Sequence, residues 1–287
     1  MFKGGNTVKV AVIGAGLMGS GIAQTCAQAG YEVKNIDVFE PAIEKAKAGI
    51  EKLFAKKIAK GSMTEEQKNE IFSRMTYSSN MEDVKGAEII IEAVPEKIEL
   101  KKSVFEQLDK VADEETVIVS NTSGLSISEM AAVTMRPHKV MGVHFFYPAP
   151  VMKLAELVRG IATDDDTYNK VRDFAVSIKK TVVDAPEYPG FIVNRILVPM
   201  QNEAAFMVME GCKPEDVDTA MKLGANHPMG PLELTDFVGI DVMLATMTGL
   251  YNGFHDSKYR PCPLLETMVK AGHLGRKTGQ GFYRYDK

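Results

Sequence analysis

Between an apolar run at residues 8–13 and a helix-forming run of small residues at 20–29, the chain reads Gly14-Ala15-Gly16-Leu17-Met18-Gly19. Glycines at the first, third and sixth positions of a strand-to-helix turn meet three separate needs. The first permits the tight turn, the second lets the backbone approach a pyrophosphate, and the third lets the helix close on the strand. The helix N-terminus adds N–H donors and a partial positive charge. Glycine turns are common, so the strand after the helix decides the reading. That second strand, at 32–37, ends on Asp37, 18 residues after Gly19, where a carboxylate accepts hydrogen bonds from an adenosine ribose and repels a 2′-phosphate. The expectation is a dinucleotide site built from Gly14, Gly16, Leu17, Met18, Gly19 and Asp37, taking NAD rather than NADP. FAD uses the same turn and stays open at this point, as does a purely structural glycine turn.

The rest of the first two thirds repeats the alternation. Apolar runs at 88–94, 116–120, 139–146 and 154–158 are separated by helical patterns, which is the signature of strands buried on both faces of a mostly parallel sheet. After Glu187-Tyr188-Pro189-Gly190 the pattern becomes helical throughout, with segments at 191–210, 214–223, 231–250 and 263–271. The expected architecture is α/β, a Rossmann-like domain over 1–187 followed by an all-helical domain over 188–287, with the boundary near 186–190.

Composition narrows the partners. The 287 residues carry a formal net charge of -4 and are 45% hydrophobic. That gives no general footing for nucleic acid or an anionic membrane, and no run is long enough to span a bilayer. The N-terminal residues have too short an apolar run and no cleavage site, so no signal peptide is expected. Cys26, Cys212 and Cys262 are odd in number and widely spaced, which fits reduced thiols in the cytoplasm. Any anionic ligand therefore needs a local positive feature. One lies at 42–60, where Lys45, Lys47, Lys52, Lys56, Lys57 and Lys60 stand against Glu44 and Glu51, a local balance of +4. Lys52, Lys56 and Lys60 share a helix face opposite Ala46, Ile50, Leu53 and Phe54. A polyanionic tail such as the phosphates of coenzyme A suits that stripe; from charge alone a solvated helix face is the better reading.

Of five histidines, His144 ends an apolar strand, and ligands of open α/β sheets bind beyond the carboxyl ends of strands. The segment turns at Pro148–Pro150 and runs back. If the arms pair antiparallel about Pro150, His144 faces Glu156, the one carboxylate of the return arm. A carboxylate beside imidazole fixes its tautomer and stabilises its protonated form, as proton transfer during hydride transfer requires. A structural hydrogen bond is the competing reading. His227, His255 and His273 have no partners at metal-ligand spacing, so no metal is assigned.

The strings GAGLMGSGIAQ, IEAVPE, SNTSGLSI, HFFYPAPVMKLAELV, PGFIVNRILVP, HPMGPLELTDFVGID and GRKTGQGFYRY, in this order over nearly the whole chain, resemble the L-3-hydroxyacyl-CoA dehydrogenase family. The resemblance implies NAD-dependent interconversion of an L-3-hydroxyacyl-CoA and a 3-oxoacyl-CoA, with 3-hydroxybutyryl-CoA and acetoacetyl-CoA the expected pair. It implies His144 as general acid/base, Glu156 as its orienting partner, Ser123 on the substrate C3 oxygen and nicotinamide region, and Asn194 holding substrate. Glu96 and Lys101 match positions lining the nicotinamide side, the lysine helix would receive coenzyme A through Lys56 and Lys60, and the helical domain would form a homodimer. One position departs: the family's usual H-F-F-N-P has Tyr147 here in place of Asn, so altered cofactor geometry with activity retained is expected. Two further readings stay open, a dehydrogenase of 3-hydroxy acids without coenzyme A and a non-catalytic dinucleotide-binding protein. Met200, Met207, Met209 and Met221 are expected to pack a helical interface.

Overall fold

The computed structural model describes residues 9–285, so Val8, the expected start of the first strand, lies outside the described residues. The chain divides into two compact units between Glu187 and Tyr188.

In the first unit β1 (Lys9–Ile13), α1 (Leu17–Gln28), β2 (Glu32–Ile36), α2 (Glu40–Ala59), α3 (Glu65–Ser73) and β3 (Met75–Ser78) are followed by β4 (Ile89–Glu92), α4 (Ile98–Val111), β5 (Val117–Ser120) and α5 (Ile127–Ala131). The unit closes with β6 (Val140–Phe145), β7 (Leu154–Arg159), α6 (Asp165–Ser177) and β8 (Thr181–Ala185). The strands form one sheet in the order β3-β2-β1-β4-β5-β6-β7-β8. Those from β3 to β6 are parallel; β7 reverses against β6, and β8 runs parallel to β7. Strand order reverses direction between β1 and β4, and such a switch point opens a crevice at the carboxyl ends of the strands. All residues of β4, β5 and β6 are buried, which is why they read as unbroken apolar runs. The edge strands β3 and β8 fall outside the sequence expectation. Their sequences, MTYS and TVVDA, are short, with one buried residue each, and so brief an edge strand carries little apolar signal.

The second unit holds α7 (Val193–Met209), α8 (Pro214–Gly224), α9 (Pro231–Val238), α10 (Ile240–Phe254) and α11 (Pro263–Lys270). The expected helix at 231–250 is therefore two helices. They part at Gly239, whose φ of 112° no residue with a β-carbon adopts easily. The strings around 227–241 and 275–285 are joined by two buried carboxylates. Asp236 accepts from the backbone N–H of Phe282 and Tyr283 at 2.9 Å each and from the Tyr285 hydroxyl at 3.0 Å. Asp218 accepts from Leu232 N and Glu233 N, at the start of α9, and from the Tyr283 hydroxyl, all at 2.8 Å. These motifs tie the C-terminal segment to the helices.

Cys26 and Cys262 are fully buried and Cys212 half-buried. Burial pushes the Cys26 thiol up to about 12 and raises that of Cys262, so neither forms the reactive thiolate at neutral pH. A chromogenic disulfide at pH 8 should titrate only Cys212 in the native protein and all three cysteines in denaturant; rapid native release of more than one thiol would contradict this burial. Among the described residues, no helix is long and apolar enough to cross a membrane, and no group of three or more His, Cys, Asp or Glu is placed to hold a metal ion.

Candidate active site

The glycine turn sits over the switch point. Gly14 has φ 101° and donates its N–H to Ile36 O at 2.7 Å. A β-carbon on Gly14 would stand 2.7 Å from Ala93 O, and one on Gly19 would stand 2.0 Å from Gly14 O. A β-carbon on Gly16 would meet nothing within 4 Å. Two glycines are thus required by the protein itself, and the middle one faces open space where a ligand can approach. Helix α1 starts at Leu17, three residues earlier than expected, with no acidic residue in its first turn and no side-chain cap. The N–H groups of that turn, from Leu17 to Gly19, have no intrahelical acceptors and suit an anion. Asp37 follows the end of β2; its Oδ2 accepts from Ala15 N at 2.7 Å and its Oδ1 from Phe39 N at 2.9 Å. Asn35, buried in β2, donates from Nδ2 to Val12 O at 3.0 Å and Gly14 O at 2.8 Å. Sequence reasoning missed Asn35; its signal is an amide on the buried side of β2, between Lys34 and Ile36. The residues present fit a dinucleotide.

Beyond β4 and β5 lies a knot of charge. Glu92, at the end of β4, is fully buried. Its Oε1 accepts from Lys101 Nζ and Val94 N at 2.7 Å each, and its Oε2 from Ser120 Oγ at 2.6 Å. Lys101, one of the two positions the resemblance matches to the nicotinamide side, is 1% exposed, because α4 directs its stem inward onto the end of β4. It also reaches Val94 O at 3.2 Å and Glu96 Oε2 at 3.3 Å. The more exposed Glu96 accepts at Oε1 from Thr122 Oγ1 at 2.5 Å and Ser123 N at 2.7 Å. Glu96, Lys101 and Ser123 are therefore brought together as the resemblance implies, with Lys101 behind Glu96. Glu92 is the residue sequence reasoning passes over, although a carboxylate closing the run Ile89-Ile90-Ile91 is its signal.

In the β6–β7 hairpin His144 pairs in register with Glu156. Nδ1 of the imidazole is 2.7 Å from Glu156 Oε2, and both side chains are buried. Backbone register thus sets the distance. Val151 N and Met152 N donate to Pro148 O, closing the turn, and the buried Lys180 donates to Ala149 O at 2.5 Å and Met152 O at 2.7 Å. Asn121 joins this hairpin to the previous strand by accepting from Phe145 N at 3.0 Å. Tyr147 leaves the end of β6 and is 55% exposed.

Lys52, Lys56 and Lys60 are exposed along α2 and at its C-cap, and Lys47 pairs with Glu44 at 2.7 Å. The opposite face buries Ile43, Ala46, Ile50 and Phe54; Leu53, expected there, is 38% exposed because its position turns toward the lysine side. Beside the end of α2 a cavity of about 850 Å³ is lined by Lys57, Ser62, Met63, Lys153 and Lys179 among others. Its lining does not include His144 or the glycine turn. Asn194 stands on the first turn of α7, in the second unit.

Hydride chemistry on a nicotinamide asks two things of a protein, a seat for the dinucleotide and a group that moves the accompanying proton. The first unit carries residues suited to both, and its class is that of the NAD-dependent dehydrogenases. Residues 9–188 match the model of the 3-hydroxyacyl-CoA dehydrogenase NAD binding domain and residues 190–285 that of the 3-hydroxyacyl-CoA dehydrogenase C-terminal domain. The chain belongs to the 3-hydroxyacyl-CoA dehydrogenase family. It is 49% identical to a 3-hydroxybutyryl-CoA dehydrogenase of Clostridioides difficile, covering 98% of this chain and 100% of that one. It is 47% identical to one of Bradyrhizobium diazoefficiens, covering 96% and 95%. The crystal structure of an (S)-3-hydroxybutyryl-CoA dehydrogenase from Ralstonia eutropha aligns with a TM-score of 0.94 at 44% identity, over 98% of this chain and 100% of that one.

Proposed function

We propose that this protein reversibly interconverts L-3-hydroxybutyryl-CoA and acetoacetyl-CoA with NAD(H). The observation that carries the mechanism is the buried 2.7 Å contact between His144 Nδ1 and Glu156. With Nδ1 directed at the carboxylate, Nε2 is the nitrogen that exchanges a proton with the substrate. In oxidation His144 takes the proton of the C3 hydroxyl, and Glu156 stabilises the imidazolium that results; in reduction His144 returns that proton. NAD, held at Gly14, Gly16, Leu17, Met18 and Gly19 with its ribose on Asp37, supplies the hydride acceptor or donor. Ser123, whose backbone Glu96 holds, directs its hydroxyl to the C3 oxygen, and Asn194 positions the thioester. Lys56 and Lys60 attract the coenzyme A phosphates, a role that suits exposed ammonium groups on one helix face. A His–Glu pair has no purpose in a protein that only binds a dinucleotide, which disfavours the non-catalytic reading.

The protein acts as a homodimer through its C-terminal unit. Ile196, Met207, Met209, Phe237, Val238 and Val242 are all exposed there, and apolar exposure of this extent marks an interaction surface. Its unpaired cysteines suit a reducing compartment, the cytoplasm.

The test is reduction of acetoacetyl-CoA with NADH, followed by loss of nicotinamide absorbance and compared with NADPH and with free acetoacetate. Turnover should require the thioester and prefer NADH. Reversing Lys56 and Lys60 to Glu should raise KM for acetoacetyl-CoA about tenfold, as two charge contacts to phosphate are lost, with kcat little changed. An unaltered KM, with free acetoacetate reduced equally well, would mean a 3-hydroxy acid dehydrogenase that does not use coenzyme A.

A further inference from the structure

We propose that Glu92, acting through Lys101, sets the charge that Glu96 presents to the nicotinamide end of the dinucleotide, and so sets the site's discrimination between NAD+ and NADH. This rests on the NAD reading above. Glu92 is a positioning residue: it is completely buried and acts through Lys101. One ammonium, that of Lys101, faces two carboxylates. It lies 2.7 Å from Glu92 and 3.3 Å from Glu96, so its charge is committed first to Glu92. Glu96 is left carrying the excess, and the three groups together hold a net charge of about -1. Glu96 in turn grips Thr122 and the backbone N–H of Ser123, so the knot governs both the charge and the position of this corner. In the order β3-β2-β1-β4-β5-β6, Asp37 marks the adenosine half, while the residues following β4 and β5 belong to the nicotinamide half.

The oxidised nicotinamide ring carries a positive charge that the reduced ring lacks. A negative knot beside it therefore favours NAD+ over NADH. Stability alone does not call for such a pair, since a buried ion pair replaced by apolar groups often costs nothing. The Glu92–Lys101 pair instead keeps the Lys101 ammonium from neutralising Glu96.

Charge arithmetic separates this role from a merely structural one. Glu92→Gln frees Lys101 to neutralise Glu96, and the ratio of NAD+ to NADH affinity, read by titration calorimetry and NADH fluorescence, should fall about tenfold. Glu96→Gln makes the same change of charge at a partly exposed side chain and should shift the ratio the same way. The double variant Glu92→Gln/Lys101→Met restores the original charge and should return the ratio to within about twofold of wild type. A folded Glu92→Gln protein with an unchanged ratio overturns the proposal, as does a double variant that stays shifted. If Glu92→Gln does not fold, the other two variants carry the same comparison. Absence of NAD(H) binding by the wild-type protein would overturn the NAD reading itself, whereas unchanged ratios in variants that still bind would overturn only the role of Glu92.

Discussion

His144→Gln is expected to slow acetoacetyl-CoA reduction by about 10²- to 10⁴-fold, the usual contribution of a positioned acid/base group, while leaving the protein folded. The glutamine amide can still donate to Glu156, so the buried carboxylate keeps a partner and the thermal midpoint should move little. NADH affinity should also hold, because the glycine turn is built from β1, α1 and β2, and His144 lies on β6. The measurement is steady-state turnover beside a melting curve and an NADH titration. A folded variant working within about tenfold of wild type would remove His144 from proton transfer.

The second large effect is expected in the glycine turn, where two neighbouring substitutions should behave differently. A β-carbon on Gly19 falls 2.0 Å from the Gly14 carbonyl oxygen, so Gly19→Ala must push α1 away from β1, at about 1–3 kcal/mol of stability by the usual cost of overpacking. It should both lower the melting temperature and abolish measurable NADH binding. Gly16→Ala meets no protein atom within 4 Å and should melt like wild type, yet bind NADH at least about tenfold more weakly, because its methyl occupies the space through which the pyrophosphate approaches. Wild-type NADH affinity in Gly16→Ala would show that the phosphates do not cross there.

Much of the fold and site is legible in the chain because the informative contacts are local or symmetric. The strand-turn-helix around Gly14, Gly16 and Gly19 is one continuous stretch from Lys9 to Gln28, and the pairing of His144 with Glu156 follows from a single hairpin centred on Pro150. The illegible part depends on tertiary contact. Glu92 meets Ser120 across 28 residues and Asn35 meets Val12 across 23, so their partners are invisible to periodicity, and the single carboxylate closing the apolar strand β4 looks like noise. The burial of Lys101 is likewise invisible in the chain, because a motif locates a residue without saying which way its stem runs. Edge strands β3 and β8 are too short for their alternation to stand out, and the break between α9 and α10 depends on the positive φ of Gly239, which helical periodicity does not report.

Asp37 carries a consequence for changing the coenzyme. The carboxylate that in the proposed site would turn away a 2′-phosphate also accepts the N–H of Ala15 at 2.7 Å, and with it steadies the glycine loop proposed to seat the pyrophosphate. Recognition of the sugar and rigidity of the phosphate seat are thus vested in one side chain. Selection or engineering that removes the charge to admit NADP loosens the grip on both coenzymes at once, so a productive route has to supply a replacement acceptor for Ala15 first and a cation for the extra phosphate second. The order of those steps is a constraint on how this enzyme's coenzyme preference can evolve.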